Sequence, residues 1–237
     1  MEKDDSIGAC QPKILSLEEK HLFEYAGAAG GMMDKLGYPF CRGRIFEHVE
    51  EDKGQYNDIV DIDWASGAAM IVRTDLFKQL GGFDEDYFAH MEEIDFCYRL
   101  KAAGYRIVYN PNSTVYHLGG GTLNYGNPKK VFLNFRNSLS TLFKNNSMLS
   151  LLYIIPIRLI LDGVAGIKFL TEGKIKSIFA IIKAHFSFYG KIPSLLRKRK
   201  KNRELIKKYG IGDKQSRSNK TFSIVFNYFV KGRKTYQ

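Results

Sequence analysis

The stretch that decides the fold reads Gly82-Phe-Asp-Glu-Asp86, His90-Met-Glu-Glu-Ile-Asp-Phe-Cys-Tyr-Arg-Leu-Lys-Ala-Ala-Gly104, and Tyr105-Arg-Ile-Val-Tyr109. It is a turn, a helix and a strand in succession. At 100° per residue, Ile94, Phe96, Cys97 and Leu100 fall on one apolar face of a helix over 90–103, and Gly104 ends it. Residues 105–109 then read as a short strand, stopped at Asn110-Pro111. Upstream, residues 59–73 are β-branched and small enough for a strand. Thr74 offers an N-cap, Asp75 suits a first turn, and Gly81 closes a short helix. Downstream, 114–117 is a further strand that opens into Gly119-Gly-Gly121, and 7–15 reads as a buried extended segment. Strands alternating with helices predict an α/β fold.

The composition excludes other classes. The 237 residues include 17 Phe and 14 Tyr, which do not stay solvated in a disordered chain. Cys10, Cys41 and Cys97 are odd in number and far apart, so they form neither a disulfide framework nor a metal knuckle and fit a reducing compartment. The net charge of +11 is unevenly spread. Residues 1–145 carry 16 Lys and Arg against 21 Asp and Glu, net −5, and residues 146–237 carry 20 against 4, net +16. This divides the chain into an acidic folded domain over 1–145 and a basic helical tail over 146–237.

In that tail, 131–143 precedes it as an amphipathic helix, 148–161 is strongly apolar, and 175–188 is a second apolar helix flanked by Lys174, Lys176 and Lys183. Pro156, Arg158 and Asp162 leave 148–161 short of the ~20 uninterrupted apolar residues that a spanning helix needs. The run Arg197-Lys-Arg-Lys-Lys201 follows. Apolar helices with basic flanks suit the surface of an anionic membrane, and a core-packed hairpin with a solvated tail is the competing reading. Nucleic acid is not expected as a partner, because the aromatic residues lie in apolar stretches and not among the basic run.

Several side chains have chemistry to offer. Glu93 projects into the apolar face at the first turn of the 90–103 helix, where burial raises its pKa and the helix N-terminus opposes the rise. Such a carboxylate suits a general base, although acidic residues also favour helix N-termini for structural reasons alone. Asp95 and Arg99 are spaced for an i,i+4 ion pair. His117 ends a strand ahead of glycines, free to meet a ligand or to serve structurally. Trp64 leads into small residues, as a binding shelf or as core. Asp61-Ile62-Asp63 and Asp84-Glu85-Asp86 both have the Asp-x-Asp spacing of a metal motif, a signal that is weak by itself.

Together these pieces say more. Trp64-Ala-Ser-Gly-Ala-Ala-Met-Ile-Val-Arg73, Leu80-Gly-Gly-Phe-Asp84, Phe88-Ala-His-Met-Glu-Glu-Ile-Asp-Phe-Cys-Tyr-Arg99, Gly104-Tyr-Arg-Ile-Val-Tyr-Asn-Pro111 and Val115-Tyr-His117 follow in an order and spacing that resembles the family 2 glycosyltransferases. The likeness is to the inverting, rhamnosyltransferase-like branch and covers roughly residues 5–145. It implies a GT-A (Rossmann-like) fold, a nucleotide-sugar donor, a divalent metal (Mg or Mn) at the diphosphate and one-step inversion by a carboxylate base.

By the same resemblance Glu93 is the base and Glu92 its acidic neighbour, where relatives usually carry Glu-Asp. Glu92 or Asp95 would position sugar. Trp64, Ser66 and Gly67 match the acceptor-lining segment, Asp95 and Arg99 join the substrate side, and His117 matches a histidine that helps bind the metal. The family's nucleotide-binding strands and Asp-x-Asp motif precede the matched segment, so Asp61-Ile62-Asp63 reads as a decoy and the chain as the C-terminal part of an incomplete catalytic domain. The expected activity is sugar transfer to a saccharide or lipid-linked acceptor in cell-surface polysaccharide assembly, at the cytoplasmic face of the cell membrane. The competing expectation is a catalytically inactive membrane-surface remnant.

Overall fold

A computed structural model describes residues 1–119, 127–211 and 222–236. The first strand, β1 (Ile7–Ser16), is the spine of the molecule. It is buried on both faces along most of its length, as a central strand covered on both sides requires, and Gln11 and Lys13 are buried with its apolar residues. A small antiparallel meander follows: β2 (Gly31–Met33), β3 (Pro39–Cys41), β4 (Arg44–Ile45) and β5 (His48–Val49). Then come β6 (Val60–Asp61), β7 (Ile71–Val72), helix α1 (Thr74–Gln79), helix α2 (Glu92–Ala102) and the long β8 (Arg106–His117). The main sheet has the order β6-β8-β1-β7, with β1 and β8 parallel and both outer strands antiparallel. The α/β class expected from the sequence is found.

Several element expectations change. Residues 59–73 do not form one strand: β6 and β7 flank a loop in which Trp64 turns inward and donates from Nε1 to the Met32 carbonyl at 2.9 Å. A side chain at Gly31 would collide with that indole, the nearest ring atom lying 2.2 Å from a Cβ built there. The residue ahead of α1 is Arg73, not Thr74, and no side chain caps the helix. Helix α2 begins at Glu92, two residues later than expected. Asn110-Pro111 does not stop the strand either. Asn110 pairs with Pro12 and Thr114 with Lys13, so 111–113 bulge out and the ladder resumes to His117.

The region after residue 145 is docked on this sheet domain rather than trailing from it. Helix α3 (Pro128–Asn145) is followed by α4 (Met148–Thr171), α5 (Ile175–Tyr209) and α6 (Ile224–Phe229). The apolar stretch seen at 148–161 thus extends to a 24-residue helix, long and apolar enough by length and composition to cross a membrane. The basic run 197–201 lies within α5 and is partly pinned: buried Arg199 donates to the Phe143 carbonyl at 2.6 Å, and Lys198 pairs with Asp86 at 2.5 Å and with Asp84. Helix α6 returns to the meander, where the Ile224 N–H donates to Asp34 Oδ2 at 2.9 Å and Tyr228 and Phe229 stack on Phe46.

Helix α4 is amphipathic in an inverted sense. Its inner stripe, Leu151, Ile154, Arg158 and Asp162, carries two buried charges. Arg158 donates to the Leu36 carbonyl at 3.1 Å and to Ser138 Oγ at 2.8 Å, and Asp162 meets His185 of α5 at 2.9 Å. Its outer stripe, Leu149, Tyr153, Ile160, Val164 and Ile167, is apolar and exposed. Helix α5 repeats the pattern with Ile175, Phe179, Ile182, Phe186 and Tyr189 exposed at alternating spacings of four and three residues.

Candidate active site

The site is organised by a turn that the backbone does not adopt willingly. Phe88, His90 and Met91 have φ of 65°, 67° and 75°, three non-glycine residues at positive φ within four positions. Helix α3 holds them there. Buried Asn137 places Nδ2 at 3.1, 2.9 and 2.8 Å from the carbonyls of Tyr87, Ala89 and His90. Arg136 donates from Nη2 to the carbonyls of Asp86 and Tyr87, each at 3.0 Å. The left-handed Met91 then launches α2, so Glu92 and Glu93 occupy its first two positions.

Both carboxylates are half-buried, and the Oε2 atom of each is shielded from solvent without a hydrogen-bond partner among the described residues. Burial, then the charge of Glu92, pushes Glu93 up to about 7, against the pull of the helix N-terminal N–H groups. Burial raises Glu92 as well. Exposed Gly67 faces Glu93: a Cβ built there would lie 4.0 Å from the Glu93 Cβ. With no side chain at 67, that flank of Glu93 stays open to a substrate.

The neighbouring loop is tied to β1. Fully buried Gln11 accepts from the Ser66 N–H at 2.8 Å and donates to the Gly27 carbonyl at 3.0 Å, while Ser66 Oγ donates to the Ala26 carbonyl. Buried Glu24 accepts from the Ala26 N–H at 2.5 Å and lies 3.5 Å from His117 Nδ1. Across from them, burial holds the Lys130 ammonium below its ordinary pKa, with Glu24 opposing. Burial lowers His90 too, and the Lys130 charge adds to it. Gln11, Glu24 and Lys130 were not picked out from the sequence. A lone polar residue inside an apolar strand, and a lone acid in Leu22-Phe-Glu-Tyr25, were the available signals.

The sequence-derived residues divide into two groups. Glu92, Glu93 and Gly67 come together at the open turn, and His117 sits beside Glu24. Ser66 supports the loop from beneath, and Trp64 is core, so neither lines an acceptor surface. Asp95 and Arg99 do not face substrate at all. Asp95 is fully buried, accepting from Asn145 Nδ2 at 2.7 Å and Lys144 Nζ at 2.9 Å, with Arg99 at 3.2 Å. Arg99 also donates from Nη1 to the Leu80 carbonyl and from Nη2 to the Gly82 carbonyl. The pair locks the turn to α2 and α3.

A metal at His117 does not fit what is present. Among the described residues, no three His, Cys, Asp or Glu side chains converge on one point, and His117 with Glu24 supplies two donors. Asp61 pairs with Arg106 at 2.8 Å and Asp63 with Lys101 at 2.5 Å.

Comparison with known proteins agrees with this geometry. Residues 43–141 match the family model described as glycosyltransferase like family 2. The chain is 46% identical over 56 residues to the N-acetylglucosaminyl-diphospho-decaprenol L-rhamnosyltransferase of Mycobacterium tuberculosis, covering 24% of this chain and 18% of that protein. The rhamnosyltransferase WbbL of Escherichia coli is likewise 46% identical over 56 residues, covering 24% of this chain and 21% of that protein. A low-salt glycan biosynthesis hexosyltransferase, Agl10 of Haloferax volcanii, is 25% identical over 130 residues, 53% of this chain and 41% of that protein. The matches thus span about a fifth of the length of the two rhamnosyltransferases. The segment that matches that family model, residues 43–141, holds the turn, both glutamates and His117.

Proposed function

We propose that the chain serves an inverting sugar transfer from a nucleotide-sugar to a lipid-linked saccharide, with Glu93 as the general base, at the cytoplasmic face of a membrane. The observation that carries it is the near-neutral carboxylate of Glu93, presented on an open flank by the clamped 88–91 turn. An acceptor hydroxyl reaching Glu93 past Gly67 gives up its proton to the carboxylate as its oxygen attacks the anomeric carbon. One C–O bond forms, the bond to the diphosphate breaks on the opposite face, and the nucleoside diphosphate leaves with that electron pair. Glu92, next to the base, raises its basicity by charge repulsion. Glu24, His117 and Lys130 form a second polar group at the edge of the same segment, suited to sugar hydroxyls or phosphate.

Membrane attachment is part of the same proposal. The outer stripe of α4 and the exposed stripe of α5 put large apolar side chains where a soluble domain has polar ones. Because the inner face of α4 is fastened to protein through Arg158 and Asp162, the helix fits a position lying along the bilayer surface rather than across it. The acceptor class follows the diphospholipid named for the Mycobacterium tuberculosis relative.

The test is a transfer assay on the chain in lipid vesicles, with a panel of nucleoside-diphosphate sugars and a polyisoprenyl-diphosphate-linked N-acetylglucosamine. A product of inverted anomeric configuration is expected, with turnover about 10²–10⁴-fold lower in Glu93→Gln. Undiminished transfer by Glu93→Gln would remove the base assignment. No transfer with any donor would favour an inactive membrane-surface module.

A further inference from the structure

A groove of about 590 Å³ lies between the N-terminal halves of α3 and α5. Its walls combine three aromatic rings, Phe88, Phe132 and Phe179, with three lysines, Lys129, Lys176 and Lys183. The Lys129 ammonium stands 4.6 Å from the centre of the Phe88 ring and that of Lys183 5.7 Å from the Phe132 ring. Among the described residues, none of the three lysines has a carboxylate within ion-pair distance, unlike Lys144 and Lys198 nearby. Arg136 adds a fourth cation, its guanidinium 5.1 Å from the Phe132 ring. The groove is therefore a cationic pocket without an internal counterion.

Its two ends lead to different places. Phe179 belongs to the exposed stripe Ile175, Phe179, Ile182, Phe186 and Tyr189, an apolar track of about 21 Å along α5 at 1.5 Å per residue. Phe88, 74% exposed, belongs to the strained turn that ends in Glu92 and Glu93. A ligand that fills this place has an anionic centre with a long apolar chain on one side and the reacting group on the other. A free nucleotide has no use for the apolar track, and an ordinary apolar helix has no use for the cations.

We propose that this groove binds the phosphate groups of the lipid-linked acceptor, with the phosphates among Lys129, Lys176 and Lys183 and the lipid chain laid along the Phe179 track. The assignment rests on the membrane and acceptor reading above. It adds a binding site outside the 43–141 segment for part of its length, since Lys176, Phe179 and Lys183 lie in α5.

Vesicle co-sedimentation of the full chain tests it. Phosphatidylcholine vesicles doped with polyisoprenyl diphosphate are compared with vesicles carrying equal charge as phosphatidylglycerol. Tighter binding to the first is expected. The triple variant Lys129→Gln, Lys176→Gln, Lys183→Gln should lose about tenfold or more of that preference. Lys200→Gln, Lys201→Gln, Lys207→Gln, which removes the same charge elsewhere on α5, should keep it, as should a triple Lys-to-Arg variant of the groove. Equal binding to both vesicle types, or equal losses in both glutamine triples, would overturn the groove while leaving membrane attachment intact. No binding to either vesicle by the wild type would overturn the membrane reading and the groove with it. Displacement of the chain from doped vesicles by a nucleoside diphosphate, but not by polyisoprenyl diphosphate in detergent, would reassign the groove to the donor.

Discussion

Glu93 carries a conflict between stability and activity. Its folded pKa of about 7 stands above the ordinary 4.5, first because burial disfavours the charge and then because Glu92 repels it. A raised carboxylate pKa means that the folded state prefers the protonated form. The stability linked to it is therefore complete below pH 4.5 and is lost as pH climbs through about 7, a loss of up to about 3 kcal/mol. A base must be ionised, so transfer should rise over the same range in which stability falls. Glu93→Gln, which stays neutral, should match the wild-type Tm near pH 4 and exceed it at pH 8. A Tm difference independent of pH would contradict the shifted pKa. Asp95→Ala leaves buried Arg99 without a carboxylate and Lys144 with Asp84 alone, and should destabilise by about 3–5 kcal/mol in urea unfolding. A variant of normal stability with a raised acceptor KM would return Asp95 to the substrate side.

Between residue and molecule stands the clamp of α3 on the 88–91 turn. Asn137→Ala removes one side chain from three carbonyls and should cost about 2–3 kcal/mol. Turnover should fall further than stability explains, because the turn is then free to relax from positive φ and carry Glu93 with it. Measured at a temperature where both proteins remain folded, unchanged kcat would show that the strain has no role in catalysis.

The inward direction of Glu93 was legible because it depends only on helical periodicity near its own residue. Gly81, at φ +84°, was legible as a helix stop for a local reason too. The continuity of β8 was not, since the bulge that accommodates Pro111 is set by the register of β1, about a hundred residues away. Nor was the burial of Asp95 and Arg99. An i,i+4 pair looks the same from the sequence whether it faces water or a lysine from α3. The start of α2 was misjudged because positive φ at His90 and Met91 has no local signal and is imposed by Asn137.

At the scale of the molecule, the charge asymmetry takes on a shape. Of the cations in 146–237, Arg158 and Arg199 are buried, Lys191 and Lys198 face Asp84 and Asp86, and Lys176 and Lys183 line the groove, while Lys200, Lys201, Arg203, Lys207 and Lys208 are exposed on the far half of α5. Replacing Ile160 and Ile167 with Lys should release the chain from vesicles, with Tm shifted little because neither side chain packs against the protein. Unaltered sedimentation would assign the outer stripe of α4 no part in attachment.

The pairing of β1 with β8 also sets a timetable. Ile7 lies beside Arg106 and Ser16 beside His117, so the spine of the sheet is synthesised about a hundred residues before its parallel neighbour. At about 5–20 residues per second, a ribosome takes roughly 5–20 s to supply that neighbour. Throughout the interval β1 is a bare apolar strand with unsatisfied edges on the side that β8 will cover. The apolar stripes of α4 emerge directly afterwards. The wait falls before α4 and α5 are made, and the yield of the fold depends on what shelters β1 until His117 arrives.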